Sequence, residues 1–363
     1  MTQPTVDACF RAIADTVKSG RRISPDDALT LLRSHDLLAL GRLANLVREE
    51  KNGDYAYYNI NRHINHTNVC VYHCTFCAFR RSGHEPDAYT LSVEDFLKKA
   101  EGSEHFTEIH TVGGVNPALR LSYYEELYSA VKARYPNVSM KSLTAVEIHD
   151  LAKIEGMSYT EVLTRLSAAG LDSLPGGGAE IFAPRVRRRI CAGKADAEEW
   201  LAVHDAAHRL GIRSNATMLY GHIETDEEII DHLNRLREQQ DRSGGFQVFI
   251  PLAYLPENNP LQVKDFTTGA RDLKVMAVSR IFLDNFDHIK AYWVMLGVRL
   301  AQLALAFGAD DLDGSVTHET ISHQAGARSP LSLSVAELEN LIREAGRIPV
   351  ERDTHYNVLR IAA

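Results

Sequence analysis

Residues 65–81 read "NHTNVCVYHCTFCAFRR" and gather Cys70, Cys74 and Cys77, three of the chain's five cysteines, at C-x3-C-x2-C spacing. The run before them, "YAYYNINRHINHTN", is rich in β-formers, so the cysteines occupy the loop after a first strand. From that loop onward, strand and helix signals alternate. "SVEDFLKKAEG" is a capped helix and "TEIHTVGG" a strand; "SYYEELYSAVKARYP" and "NVSMKSLT" repeat the pair. A helical pair follows, its second member opening on the capping box Ser158-x-x-Glu161. Then come the short strand "DSLPGGG", the helix "DAEEWLAVHDAAHRLG", the strand "RSNATMLYG", a helix boxed by Thr225 and Glu228, and the apolar strand "FQVFIPLAY". The helix around "RDLKVMAVSRIFLDN" leads to the strands "HIKAYW" and "ADDLDG", with a helix between them, and Ser334 and Glu337 box a last helix ended by Gly346. Strands alternating with helices of ~10–15 residues imply βαβ units around a parallel sheet. Counting from Tyr55 gives about eight units, which predicts an α/β fold: a full or partial (β/α) barrel of TIM type. A doubly wound open sheet is the alternative, but no G-x-G-x-x-G follows the first strand.

Outside this core, residues 1–53 read as an N-terminal helical extension. Ser24 is its N-cap and Pro25 its first helical position, and it ends near Gly53. The barrel is expected over 54–345, with 346–363 as a C-terminal tail packing on it. A chain of 363 residues, 45% hydrophobic and 24% charged, can bury a sizeable core. With Lys+Arg 40 against Asp+Glu 48, a formal charge of −8, nucleic acid is not expected as a partner. "RVRRR" at Arg185–Arg189 reads as a solvated helix end rather than an anion site. The N-terminus lacks a signal-peptide pattern and no apolar run reaches membrane-span length, so no membrane partner is expected. Clustered thiols without an export signal point to reduced, metal-binding cysteines and a cytoplasmic location. Cys9 and Cys191 read as isolated, partly buried thiols.

Four readings compete for the cysteine loop. Structural zinc needs a fourth ligand, for which His73 or His84 is available, but no second knuckle exists. Chance clustering of thiols is the plainest reading. A thiol redox site would need Cys74-x-x-Cys77 beside a thioredoxin-like unit, which is absent. The spacing favours the fourth, a [4Fe–4S] cluster bound by Cys70, Cys74 and Cys77 with one iron open to a small molecule. In "SLPGGGAEIF", three glycines let backbone approach a ligand, and Glu180 can hold ribose hydroxyls; the alternative is an ordinary flexible loop.

With Phe76 beside the last cysteine, the loop closely resembles that of the radical S-adenosylmethionine (SAM) superfamily. The resemblance implies that the open iron chelates SAM and that SAM is consumed as a co-substrate. It also implies that a Gly-Gly-Glu stretch after the second strand binds the SAM amine. Here that place reads "TVGGVNP": Gly113 and Gly114 are present but Val115 replaces the Glu, so backbone carbonyls would have to serve. "SLTAVEI", "LPGGGAEI", "TMLYGHIET" and "FIPLAYLPENNPL" extend the likeness to the radical SAM branch of the futalosine menaquinone route and the F0-type deazaflavin synthases. "GADDLDGSVTHETISHQAGA" and "GRIPVERDTHYN" resemble the aminofutalosine synthases within it. His66, His73 and Thr317-His318 depart from the expected pattern.

That resemblance implies addition of the 5′-deoxyadenosyl radical to 3-[(1-carboxyvinyl)oxy]benzoate, with loss of a carboxyl carbon, giving aminofutalosine and methionine. An electron donor such as flavodoxin or ferredoxin is implied too. The alternatives are hydrogen-atom abstraction, as in dehypoxanthine futalosine cyclase or F0 synthase, and, in another class, a zinc-stabilised barrel binding protein. A substrate with two carboxylates needs cations or N–H donors at the barrel mouth. Arg80 and Arg81 are candidates for one carboxylate, or exposed loop arginines. His222, at a strand's C-terminal end, is placed to bind carboxylate or move a proton, or is structural. Asp310, Asp311 and Asp313 suit such a site only if they bind ribose or pair with arginines. Glu319 and His323 are an i, i+4 pair on an expected helix.

Overall fold

The computed structural model describes residues 6–263 and 266–362. The N-terminal region forms three helices, Val6–Lys18, Pro25–Arg33 and Leu37–Asn52. The single helix expected from Ser24 to Gly53 is interrupted at Ser34–Asp36, because Asp36 accepts the Ala39 N–H at 2.8 Å and caps a new helix. Ser24 is the expected N-cap, and Asp27 makes the cap reciprocal. The second and third helices lie against helices Asp226–Ser243 and Gly269–Phe282 on the outside of the barrel.

The stretch expected as one first strand bends at Ile60 into β1 (Tyr55–Asn59) and β2 (Asn61–His63). The others are β3 (Glu108–Thr111), β4 (Ser139–Ser142), β5 (Ser173–Leu174), β6 (Arg213–Tyr220), β7 (Phe246–Ala253), β8 (His288–Ile289), β9 (Asp311–Gly314), β10 (Ile348–Arg352) and β11 (Val358–Ile361). β2 to β8 form a seven-stranded parallel sheet in chain order. β9 and the segment after it join its two ends: Lys290 bridges Asp311 on one side, and Arg62 bridges Thr317 on the other, both in parallel. The expected (β/α) barrel is therefore present. Its strands are near-continuously buried, as both faces of a parallel sheet require; β7 is "FQVFIPLA" with only Leu252 part-exposed.

A second sheet, ordered β11-β10-β1-β9, lies beside the N-terminal half of this ring. Residues 346–363, read from the sequence only as a tail, supply β10, parallel to β1, and β11, antiparallel to β10. "HIKAYW" contributes just two strand residues before helices Trp293–Leu296 and Val298–Ala304, which break at Gly297 with φ 78°. "RVRRR" is largely the expected solvated end, with Arg185, Arg188 and Arg189 exposed. It lies in helix Pro184–Ile190, where buried Arg187 donates to the Ala179 carbonyl at 2.6 Å and to that of Ala195. Among the described residues, no helix is long and apolar enough to cross a membrane.

Candidate active site

The cysteine loop leaves the C-terminal end of β2, the end at which barrels carry their chemistry. Backbone bonds pin it on every side. Cys70 N–H donates to Arg81 O at 3.0 Å, Val71 N–H to Val115 O at 3.0 Å, and Thr75 N–H to Ile190 O at 2.8 Å. Asn68 ties the return path, donating to Asp87 O at 2.9 Å while its Oδ1 accepts from Tyr89 N–H at 2.8 Å. All five cysteines are free thiols. Burial pushes the Cys74 thiol up to about 12 and raises Cys70 as well.

The glycine turn after β3 lies directly on this loop. A Cβ on Gly114 would come within 2.1 Å of the Val69 carbonyl oxygen, and one on Gly113 within 2.6 Å of the His66 ring. Only glycine permits that approach. Glu147, third residue of helix Ala145–Glu155, accepts the Gly113 N–H at 3.1 Å. Glu147 also completes the Thr144 capping box and stands 3.8 Å from His66 Nε2. Burial raises its carboxyl to about 7.

Below the loop, the barrel encloses a cavity of about 260 Å³. Phe76, Cys77, Glu180, Tyr254 and Tyr292 line its upper part, and Val112, Leu219, Ile250 and Leu252 contribute apolar walls. Glu180 has a left-handed backbone, φ 47°, and pairs with partly buried Lys194, whose Nζ lies 5.6 Å from the centre of the Phe76 ring. Deeper in, His63, Glu108, His110, Lys141, Lys290 and Asp313 line the cavity. Lys141 Nζ lies 2.7 Å from Glu108, and Lys290 Nζ 2.8 Å from Asp313. Against the cost of burial, Lys141 holds Glu108 well below the usual carboxylate range, and Lys290 lowers Asp313.

The donor set suits a cluster better than a single ion. Among the described residues, no three His, Cys, Asp or Glu side chains converge on a point that would hold one metal ion. Three thiols on one loop suit a cubane, where each thiolate would bind a different iron.

Residues 64–236 match the Radical SAM superfamily, and residues 243–363 match the CofH/MqnC C-terminal region. This chain belongs to the radical SAM superfamily. It is an enzyme of that superfamily, 48% identical over 355 residues to a Thermus thermophilus protein named aminodeoxyfutalosine synthase, covering 96% of this chain and 95% of the relative. A Streptomyces coelicolor protein of the same name is 47% identical over 363 residues, covering 96% and 94%. A cyclic dehypoxanthine futalosine synthase of Streptomyces coelicolor is 39% identical over 361 residues, covering 98% and 90%. The fold is shared with methylornithine synthase (PylB), at a TM-score of 0.74 and 18% identity over 93% of this chain and 97% of that one.

Within this radical SAM barrel, the expected site residues fall into two groups. Cys70, Cys74, Cys77, Phe76, Gly113, Gly114 and Glu180 gather around the loop and the cavity's upper part. Arg80, Arg81 and His222 do not line the cavity. Arg81 binds the Ala78 and Arg80 carbonyls at 2.9 Å and pairs with Asp87 at 2.7 Å, so it is spent on holding the loop. Arg80 reaches Ser82 at 3.2 Å. His222 turns back on its own strand end, donating from Nε2 to Leu219 O at 2.9 Å, with Nδ1 against the Ile223 N–H and Glu224.

The aspartates of "DDLDG" do pair with cations: Asp310 with Arg280 and His288, Asp311 with Arg352 at 2.7 Å, and Asp313 with Lys290. Glu319 lines the cavity but precedes the short helix Ile321–Gln324 instead of lying on it, and His323 Nδ1 meets it at 3.0 Å. Lys141, Lys290, Glu108, Glu147 and Lys194 were not anticipated. A signal existed for two of them: Glu108 and Lys141 are charges inside runs that otherwise read as buried parallel strands.

Proposed function

We propose that this chain acts in menaquinone biosynthesis by the futalosine route, as an aminodeoxyfutalosine synthase. The observation that carries the reading is one cavity lined both by Phe76 and Cys77 of the cysteine loop and by the glycine loop with Glu180. Its long identity to the relatives of that name supports the same reading. Cys70, Cys74 and Cys77 would hold a [4Fe–4S] cluster, and SAM would be consumed with 3-[(1-carboxyvinyl)oxy]benzoate to give aminofutalosine and methionine, one carboxyl carbon leaving. Together the bound cluster and SAM supply a 5′-deoxyadenosyl radical.

The chain's own residues then bind, orient and exclude water. Gly113 and Gly114 offer backbone at the loop where an amine would approach, and Glu147 fixes that turn from behind. Glu180, held by Lys194, would accept from ribose hydroxyls. Leu219, Ile250 and Leu252 supply a dry wall for an aromatic ring. The electron would come from a flavodoxin- or ferredoxin-type donor.

The 39% identity to the cyclic dehypoxanthine futalosine synthase favours a second reading, hydrogen-atom abstraction by the same radical. Anaerobic incubation with SAM, dithionite and the enolpyruvyl benzoate separates the two. The synthase reading expects the adenosyl group in the product; stoichiometric free 5′-deoxyadenosine defeats it.

A further inference from the structure

The cavity floor carries charges that the fold does not need. Inward positions of a parallel barrel are ordinarily filled by branched apolar side chains. Burying an ion pair there brings little or no net stability over hydrophobic residues of similar volume. Yet Lys141 and Glu108 are each 2% exposed at the side chain, and Lys290 and Asp313 4% and 9%. The pairs are also incomplete. An ammonium carries three N–H donors. Among the described residues, Lys141 makes one hydrogen bond, to Glu108, and Lys290 makes one, to Asp313. Beside them His63 Nε2 is buried with no partner, its ring stacked on His110 with centroids 4.5 Å apart. Burial holds the His63 ring near 3, so it is neutral and has one N–H to give.

The strand register aligns three of these groups. His63 lies opposite His110, and His110 opposite Lys141. Beneath them the barrel is sealed: Thr354 donates to Glu108, and Arg352 closes on Asp311. Lys141 and Lys290 are also the only Lys or Arg side chains among the cavity's lining residues.

We propose that Lys141 and Lys290, with His63 as a third donor, form a carboxylate seat that takes the ring carboxylate of the aryl substrate. This rests on the synthase reading. The enol-ether carbon that receives the adenosyl group must lie near the cysteine loop. The ring carboxylate is the far end of that molecule and reaches the floor when the ring lies along Leu219, Ile250 and Leu252. The second carboxylate, attached to the alkene, stays near the mouth.

The test is calorimetric binding to the anaerobically reconstituted holoenzyme, with no reductant and hence no turnover. Two ligands are compared: 3-[(1-carboxyvinyl)oxy]benzoate and 2-phenoxyacrylate, which lacks the ring carboxylate. The native protein should prefer the dicarboxylate by roughly ten- to hundredfold, as charge-assisted hydrogen bonds to a buried carboxylate require. The paired variants Glu108→Gln/Lys141→Met and Lys290→Met/Asp313→Asn remove each ion pair without leaving a lone buried charge. Either one, if folded by circular dichroism, should lose most of that preference while still binding 2-phenoxyacrylate. A variant that keeps the native preference, or weakens both ligands equally, overturns the seat. A native protein with no preference also overturns it, while the synthase reading stands or falls separately on whether adenosyl appears in the product.

Discussion

The mouth and the floor of this barrel are fixed by different interactions. At the mouth, the cysteine loop is held by backbone amides and by a glycine turn so close that a Cβ would meet the Val69 carbonyl. At the floor, residues far apart in sequence meet as buried ion pairs, such as Asp311 with Arg352 and Glu108 with Lys141. A backbone-built region keeps its shape whatever charge it comes to hold, which suits a loop that must accept a metal cluster. A region of paired charges discriminates among ligands by charge, which suits recognition. The difference also sets what mutation can do in each place. The mouth fails through sterics and lost thiolates; the floor fails through uncompensated charge.

The largest effect expected is at the mouth. Cys74→Ala should abolish both iron retention and turnover, measured by iron analysis and product formation after anaerobic reconstitution; retained turnover would break the assignment of the loop. Next comes the floor. Arg352→Met leaves Asp311 buried without its guanidinium and should destabilise the fold by about 3–5 kcal/mol in urea titration. Adding Asp311→Asn should restore much of that loss, and no recovery would mean that packing rather than charge holds this end.

Gly114→Ala should cost roughly 1–3 kcal/mol and loosen iron binding, since the added methyl meets backbone that must shift. Gly156→Ala, with φ 64° but nothing near the added Cβ, is the control that separates crowding from backbone strain. The smallest effect is a pH slope at Glu147. Its folded carboxyl titrates at about 7, above its ordinary value, so its contribution to stability is full in acid and is lost as pH rises toward and through 7. Glu147→Gln keeps an oxygen for the Gly113 N–H and should flatten that fall. Urea midpoints at pH 5 and pH 8 check it, and an unchanged slope would contradict the burial of this group.

The same contrast explains what the sequence revealed. Cys70, Cys74, Cys77, Gly113 and Gly114 were legible because the chemistry lies in short, local patterns, and the barrel was legible because strand and helix periods alternate. Ser158 and Thr225 marked their helices correctly because a capping box spans only four residues. The floor was not legible. Lys290 meets Asp313 only because β9 closes the ring beside β8, and Arg352 meets Asp311 only because β10 joins β1. His222 shows the reverse error. Its place at a strand end was read correctly, but its ring turns to Leu219 O, and side-chain direction is set by packing that periodicity does not encode.

Iron bound per chain after anaerobic reconstitution tests the account most directly, because every role assigned to the mouth depends on it. About four irons per chain, with a broad absorbance near ~400 nm, are predicted. A colourless protein holding one zinc would contradict the account.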